Sequence, residues 1–96
     1  MSTDVAERIR LRLNEAFAPD EIEIRDDSAL HAGHAGARSG GGHYGLRIVA
    51  SAFAGHGTVA RHRMIYEALG DMMKKDIHAL AIKAMTADEA TQATHP

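Results

Sequence analysis

The sequence contains no cysteine among its 96 residues. It can form no disulfide and supply no thiolate to a zinc or iron–sulfur centre, so any such chemistry needs sulfur from elsewhere. Nor does it contain anything near the roughly 20 consecutive apolar residues of a membrane span. The opening MSTDVAERIRLRL mixes charged with apolar residues where a signal peptide carries a continuous apolar run. A soluble, intracellular protein is expected, with the cytoplasm as its compartment. Strong charge of one sign is also lacking. The formal net charge is -2 with histidine neutral, which gives no global field to attract nucleic acid and leaves such binding to a local patch. With seven histidines in the chain, protonation below about pH 6.5 makes that balance positive. Finally, no cysteine nucleophile exists, and no serine, histidine and carboxylate group together in a strand-turn-helix context. A non-enzymatic role is expected.

What is present fits one domain spanning residues 1–96, since 45% hydrophobic content at this length builds a modest single core. Val5, Ile9, Leu13 and Ala16 or Phe17 recur at helical spacing behind the cap candidates Ser2, Thr3 and Asp4, and Pro19 ends that helix. Glu21 to Asp26 alternates charged and apolar residues, the pattern of a strand with Ile22 and Ile24 inward. His43 to Ala50 forms a second strand with Tyr44, Leu46, Ile48 and Ala50 on one face, weakened or bulged at Gly45. The two strands are expected to pair antiparallel. Thr58 starts a helix to about Lys75, with His62, Ile65 or Tyr66, Leu69 and Met72 or Met73 as its buried stripe. Ile77 to Met85 reads as a central strand, Thr86-Ala87-Asp88-Glu89 as a capping box, and Thr91 to Pro96 as a frayed tail. The order helix, strand, strand, helix, strand describes an α+β fold in which helices cover one side of a small mixed sheet.

The stretch Ser28 to Tyr44, SALHAGHAGARSGGGHY, stands out because long loops in small domains are usually functional or disordered. His31 and His34 stand three apart there and could converge on a metal, but two histidines fall short of the three or four ligands a usual site needs. His43 reads as part of the second strand. His78 places an imidazole at the mouth of the last strand, either hydrogen-bonded to backbone or acting as a ligand. Gly33-His34-Ala35-Gly36 matches a GxxG pattern, which in KH domains joins two helices and clamps a nucleic-acid backbone; here it would join two strands. Arg61, Arg63, Lys74 and Lys75 are candidates for phosphate contact. Arg61 and Arg63, however, diverge by about 200° on a helix.

HAGHAG after Asp27-Ser28, His43-Tyr44 at a strand start, RHRMIY over Arg61 to Tyr66, and HALAI over His78 to Ile82 together resemble the BolA family, from about Ile9 to Glu89. The resemblance implies an α+β fold similar to the class II KH arrangement. It also implies partnership with monothiol glutaredoxins through a shared, glutathione-dependent [2Fe–2S] cluster, in iron–sulfur maturation or iron regulation. A DNA-binding transcriptional role is implied as the alternative. In a cysteine-free chain only imidazole can serve as ligand, as histidine does in Rieske centres. His78 matches the family's C-terminal ligand histidine, and His31 best matches its loop ligand, with His34 as substitute. Gly45, the stretch Gly70-Asp71-Met72-Met73, and Ala87 after Thr86 depart from the usual pattern.

Overall fold

The computed structural model describes residues 5–27 and 42–93. Helix α1 (Val5–Phe17) is followed by strands β1 (Glu21–Asp26) and β2 (Gly42–Val49) and a single 3-10 turn (Ser51–Phe53). Helices α2 (Thr58–Leu69) and α3 (Met72–Lys75), strand β3 (Ile77–Met85) and helix α4 (Ala87–Ala93) complete the chain. The sheet order is β1-β2-β3. β1 runs antiparallel to β2, and β3 lies parallel to it after the crossover through α2 and α3. This is the expected α+β arrangement with a mixed three-stranded sheet.

Strand alternation decides which residues enter the core. Ile22, Ile24, Leu80, Ile82 and Ala84 sit opposite or beside Leu46 and Ile48 in register and share their face. Ile9 and Leu13 of α1, Ile65 and Leu69 of α2, and Met72 of α3 meet that face, all with 1% exposure or less. Phe53, read from the sequence only as part of a turn, is fully buried and packs its ring 5.1 Å from that of Phe17. Of the alternatives left open on α2, Ile65 is buried and Tyr66 is 42% exposed, with His62 edge-on against it.

Three expectations are corrected. The helix begun at Thr58 does not run unbroken to Lys75. Gly70 takes φ 55° at the end of α2 and its amide donates to the Tyr66 carbonyl, a left-handed conformation that favours glycine and breaks the helix into α2 and α3. Arg12 closes the same terminus by donating to the Leu69 carbonyl at 2.9 Å. Second, β3 is an edge strand, with β2 central. The apolar look of IHALAIKAM comes from exposed alanines at 79 and 81 alternating with inward Leu80 and Ile82, a one-sided strand. Third, Gly45 makes no bulge. β2 passes through it in register with Arg25 and Ala81, and the Arg25 guanidinium lies over Gly45 in the space a Cβ would need.

α1 ends as expected before Pro19, through Ala18 in a left-handed conformation (φ 45°). The capping box is present: the Thr86 amide donates to Glu89 Oε1 at 3.0 Å, and the Glu89 amide donates to Thr86 Oγ1 at 3.3 Å. α4 extends to Ala93, into the stretch expected to fray. Val49 points away from the main core, between inward Ile48 and Ala50. It is 1% exposed and shares a shallow cavity with Ala87 and Ala90 of α4, so α4 closes the end of the second sheet face. No helix among the described residues is long and apolar enough to cross a membrane.

Candidate metal centre

His78 does not sit in a regular ladder. Ile77 is buried in the core and Leu80 packs against it, yet they are three residues apart, and strict alternation would send one of them outward. The register resolves the conflict with a bulge. Gly42 faces Ile77 and the next residue, His43, faces Ala79, so His78 is the extra residue on β3. Bulges re-aim side chains. Here the bulge leaves His78 and Ala79 both exposed, so that His78 turns outward from the core.

That side already carries His43, which stands one residue before inward-facing Tyr44. The imidazoles of His43 and His78 lie with centroids 5.1 Å apart and planes tilted by 43°. His78 is exposed and His43 half-buried. No third histidine, aspartate or glutamate completes a metal-binding group with them among the described residues. The backbone around the pair is held closely: the Asp27 amide donates to the His43 carbonyl at 2.7 Å, and the Gly42 amide to the Asp76 carbonyl at 3.1 Å. Nearby carboxylates are occupied, Asp76 by Arg8 at 3.0 Å and Asp27 by Arg25 at 3.5 Å.

Asp27 and Gly42 are also the residues between which segment 28–41 is strung, and it carries His31 and His34. Both histidines, and the GxxG match at Gly33 to Gly36, lie outside the described residues. The structure therefore puts His78 at the end of the sheet where that segment is anchored, and adds His43, which the sequence reading left as a strand residue. The sequence carries a signal for the bulge, though not for the pairing. Ile77 and Leu80 at a spacing of three inside a strand require a bulge at His78 or Ala79.

The cationic candidates separate into two kinds. Arg61 is committed inside the fold. Its Nε donates to the His56 carbonyl at 2.7 Å and its Nη1 to the Ala84 carbonyl at 3.0 Å. It also grips Glu89 with two bonds, at 2.6 and 3.0 Å. This bidentate contact raises the Arg61 pKa and, with the Thr86 amide, holds the Glu89 carboxyl down at about 2. Four of the five guanidinium donors are thereby used, which leaves Arg61 poorly placed to meet phosphate. Arg63, Lys74 and Lys75 are exposed, and no side-chain ion pair among the described residues involves them.

A family model described as BolA-like protein matches residues 13–89. SufE-like protein 1, chloroplastic/mitochondrial, of Arabidopsis thaliana is 46% identical over 87 residues, covering 85% of this chain and 24% of that protein. The DNA-binding transcriptional regulator BolA of Escherichia coli K12 is 36% identical over 85 residues, covering 88% of this chain and 78% of that one. The solved BolA domain of SufE1 from Arabidopsis thaliana superposes with a TM-score of 0.79 at 42% identity, covering 93% of this chain and 99% of the domain. The chain thus spans about a quarter of the SufE-like relative and most of the bacterial regulator.

Proposed function

Since this chain belongs to the BolA family, we propose that it is a non-enzymatic partner of a monothiol glutaredoxin, lending histidine nitrogen to a [2Fe–2S] cluster shared with the glutaredoxin and glutathione. The observation that carries the reading is His78. It is an exposed imidazole turned outward by a bulge, at the end of the sheet where the segment bearing His31 and His34 is attached. The donor set fits such a group. A [2Fe–2S] cluster takes four ligands, and a chain without cysteine fits one only if thiolates come from the partner side.

His78 and His31 are the ligands proposed, with His34 the substitute for His31. The cluster when bound supplies electron-transfer or cluster-donor chemistry. This chain supplies nitrogen ligands, whose replacement of thiolate raises the potential, and the sheet end on which to present them. The cytoplasm, where glutathione keeps thiols reduced, suits a partner of this kind.

The test is to mix the chain with cluster-loaded monothiol glutaredoxin and record visible absorption and circular dichroism. The wild type is expected to change the cluster spectrum, and His78→Ala and His31→Ala to change it less. Spectra for the two variants indistinguishable from wild type would refute the ligand assignment.

A second reading, DNA-binding regulation, is favoured by the name of the bacterial relative and by exposed Arg63, Lys74 and Lys75. With Arg61 committed elsewhere, those three side chains carry the phosphate contacts. Duplex binding that falls steeply with added salt supports it; no binding at low salt removes it.

A further inference from the structure

We infer that the outer edge of β3 is an interface between two copies of this chain, paired antiparallel about Ala81 so that two three-stranded sheets become one. The inference concerns the isolated protein and does not rest on the proposed function.

The ladder decides which backbone groups of β3 are already used. The Met85 carbonyl accepts from the Ala50 amide on the β2 side, and successive residues of a strand turn their amide and carbonyl to opposite edges. Lys83, Ala81 and Ala79 therefore bond to β2, while Leu80, Ile82 and Ala84 turn N–H and C=O to the outer edge. The Ala84 carbonyl, left free by β2, accepts from Arg61 Nη1 at 3.0 Å. Among the described residues no hydrogen bond reaches the outward groups of Leu80 and Ile82.

Natural edge strands are blunted by shortness, proline, bulges or charge. β3 is 9 residues long and has no proline. Its protections stand at its two ends, the bulge at His78 and the Arg61 cap on Ala84. Between them Ala79 to Lys83 is open, with Lys83 its one charged residue. Leu80 and Ile82 pack on the core yet stay only half-buried, so a strand laid alongside would cover them further.

A second copy fits this stretch in one register. A twofold axis at Ala81 sets Leu80 opposite Ile82 of the second copy, and Ile82 opposite its Leu80. These are the residues with outward groups, so both become hydrogen-bonded pairs, and Ala81 meets its own copy as the close pair between them. Lys83 faces Ala79, which avoids the cost of opposing like charges. Other axes fail. At Ile82 the axis sets Leu80 against Ala84, whose carbonyl Arg61 holds, and at Leu80 it sets Ile82 against the bulged His78. At Lys83 it opposes two lysines. The axis at Ala81 instead brings the His78 bulge of each copy to the capped Ala84 of the other, so pairing ends where both strands cease to offer it. So short a contact makes a weak and reversible dimer.

The test follows the full chain by sedimentation equilibrium and amide NMR from about 10 μM to about 1 mM, a range suited to a small interface. A monomer–dimer equilibrium is expected, with concentration-dependent shifts centred on Leu80 and Ile82. Ala81 is exposed, so its substitution leaves the core untouched, and amide spectra of dilute samples check that the fold is retained. Ala81→Lys and Ala81→Glu should each weaken the dimer at least about tenfold by setting like charges together at the axis. An equimolar mixture of the two variants should recover association, because opposite charges then meet. A chain that stays monomeric throughout, variants that dimerise as wild type, or a mixture that fails to recover overturns the inference. So does a dimer whose shifts fall on α2 around exposed Val59 and Tyr66. With no glutaredoxin present, failure here leaves the cluster reading standing, and failure of the cluster reading leaves this one to its own test.

Discussion

The two ends of the sheet are built on opposite principles. At the end defined by Val49, Ala50 and Met85 the backbone is locked. The Ala50 amide donates to the Met85 carbonyl and the Asp20 amide to the Val49 carbonyl, and Arg61 spans His56, Ala84 and Glu89. Phe53 fills the core beneath. At the other end, where β1 finishes and β2 and β3 begin, the ladder contains a bulge and presents two imidazoles beside the Arg8–Asp76 and Arg25–Asp27 ion pairs. The first end spends its polar side chains on closing the fold, and the second turns an exposed imidazole outward while Ile77 and Tyr44 remain in the core. The arginine that sequence alone nominates for an external phosphate belongs to the locked end, and the histidine it assigns to a strand belongs to the open one.

The comparison breaks most visibly in the core of the locked end. Phe53→Ala removes a fully buried ring packed against that of Phe17 and is expected to destabilise the fold by about 3–5 kcal/mol, measured by urea unfolding. A loss below about 1 kcal/mol, the level of a surface change, would show that this end is not where stability resides. Arg61→Met keeps the stem and removes the grip on two carbonyls and a carboxylate. On the order of 1 kcal/mol is expected, allowing for solvent screening of its exposed partner, together with faster amide exchange in α4. Unchanged α4 exchange would free Arg61 for the phosphate role.

The same clasp gives a pH signature. The folded-state pKa of Glu89, about 2, lies below its ordinary value of 4.5. Its contribution is therefore fully present above pH 4.5 and is lost as pH falls through about 2. Stability measured from pH 5 to 2 should fall more in wild type than in Glu89→Gln, and parallel curves would contradict the assignment. At the open end, His43→Ala and His78→Ala should change stability least, by no more than about 0.5 kcal/mol, with the loss of His78 altering what the protein binds.

Much of the fold was legible in the residues. The alternation of EIEIRD and of Tyr44, Leu46, Ile48 and Ala50 specified two strands and their inward faces, and Thr86 with Glu89 announced the cap of α4. The edge position of β3 was hidden because alanine satisfies an apolar pattern whether exposed or buried. Phe53 was hidden because a turn residue shows no period. His78 was legible through the family resemblance, but its pairing with His43 was not, since that contact depends on a parallel register and a one-residue bulge between strands more than thirty positions apart. Of His31 and His34, the proposed loop ligands, the described residues fix only the two anchor points, Asp27 and Gly42.

The central claim is that the open end presents His78 to a metal centre held partly by another protein. The most direct measurement is pulsed EPR of the one-electron-reduced cluster formed when this chain is mixed with cluster-loaded monothiol glutaredoxin. The account predicts strong couplings to histidine nitrogen that are absent from the glutaredoxin cluster alone and are diminished in His78→Ala. A mixture whose spectrum matches that of the glutaredoxin cluster alone, or one that His78→Ala leaves unaltered, would contradict it.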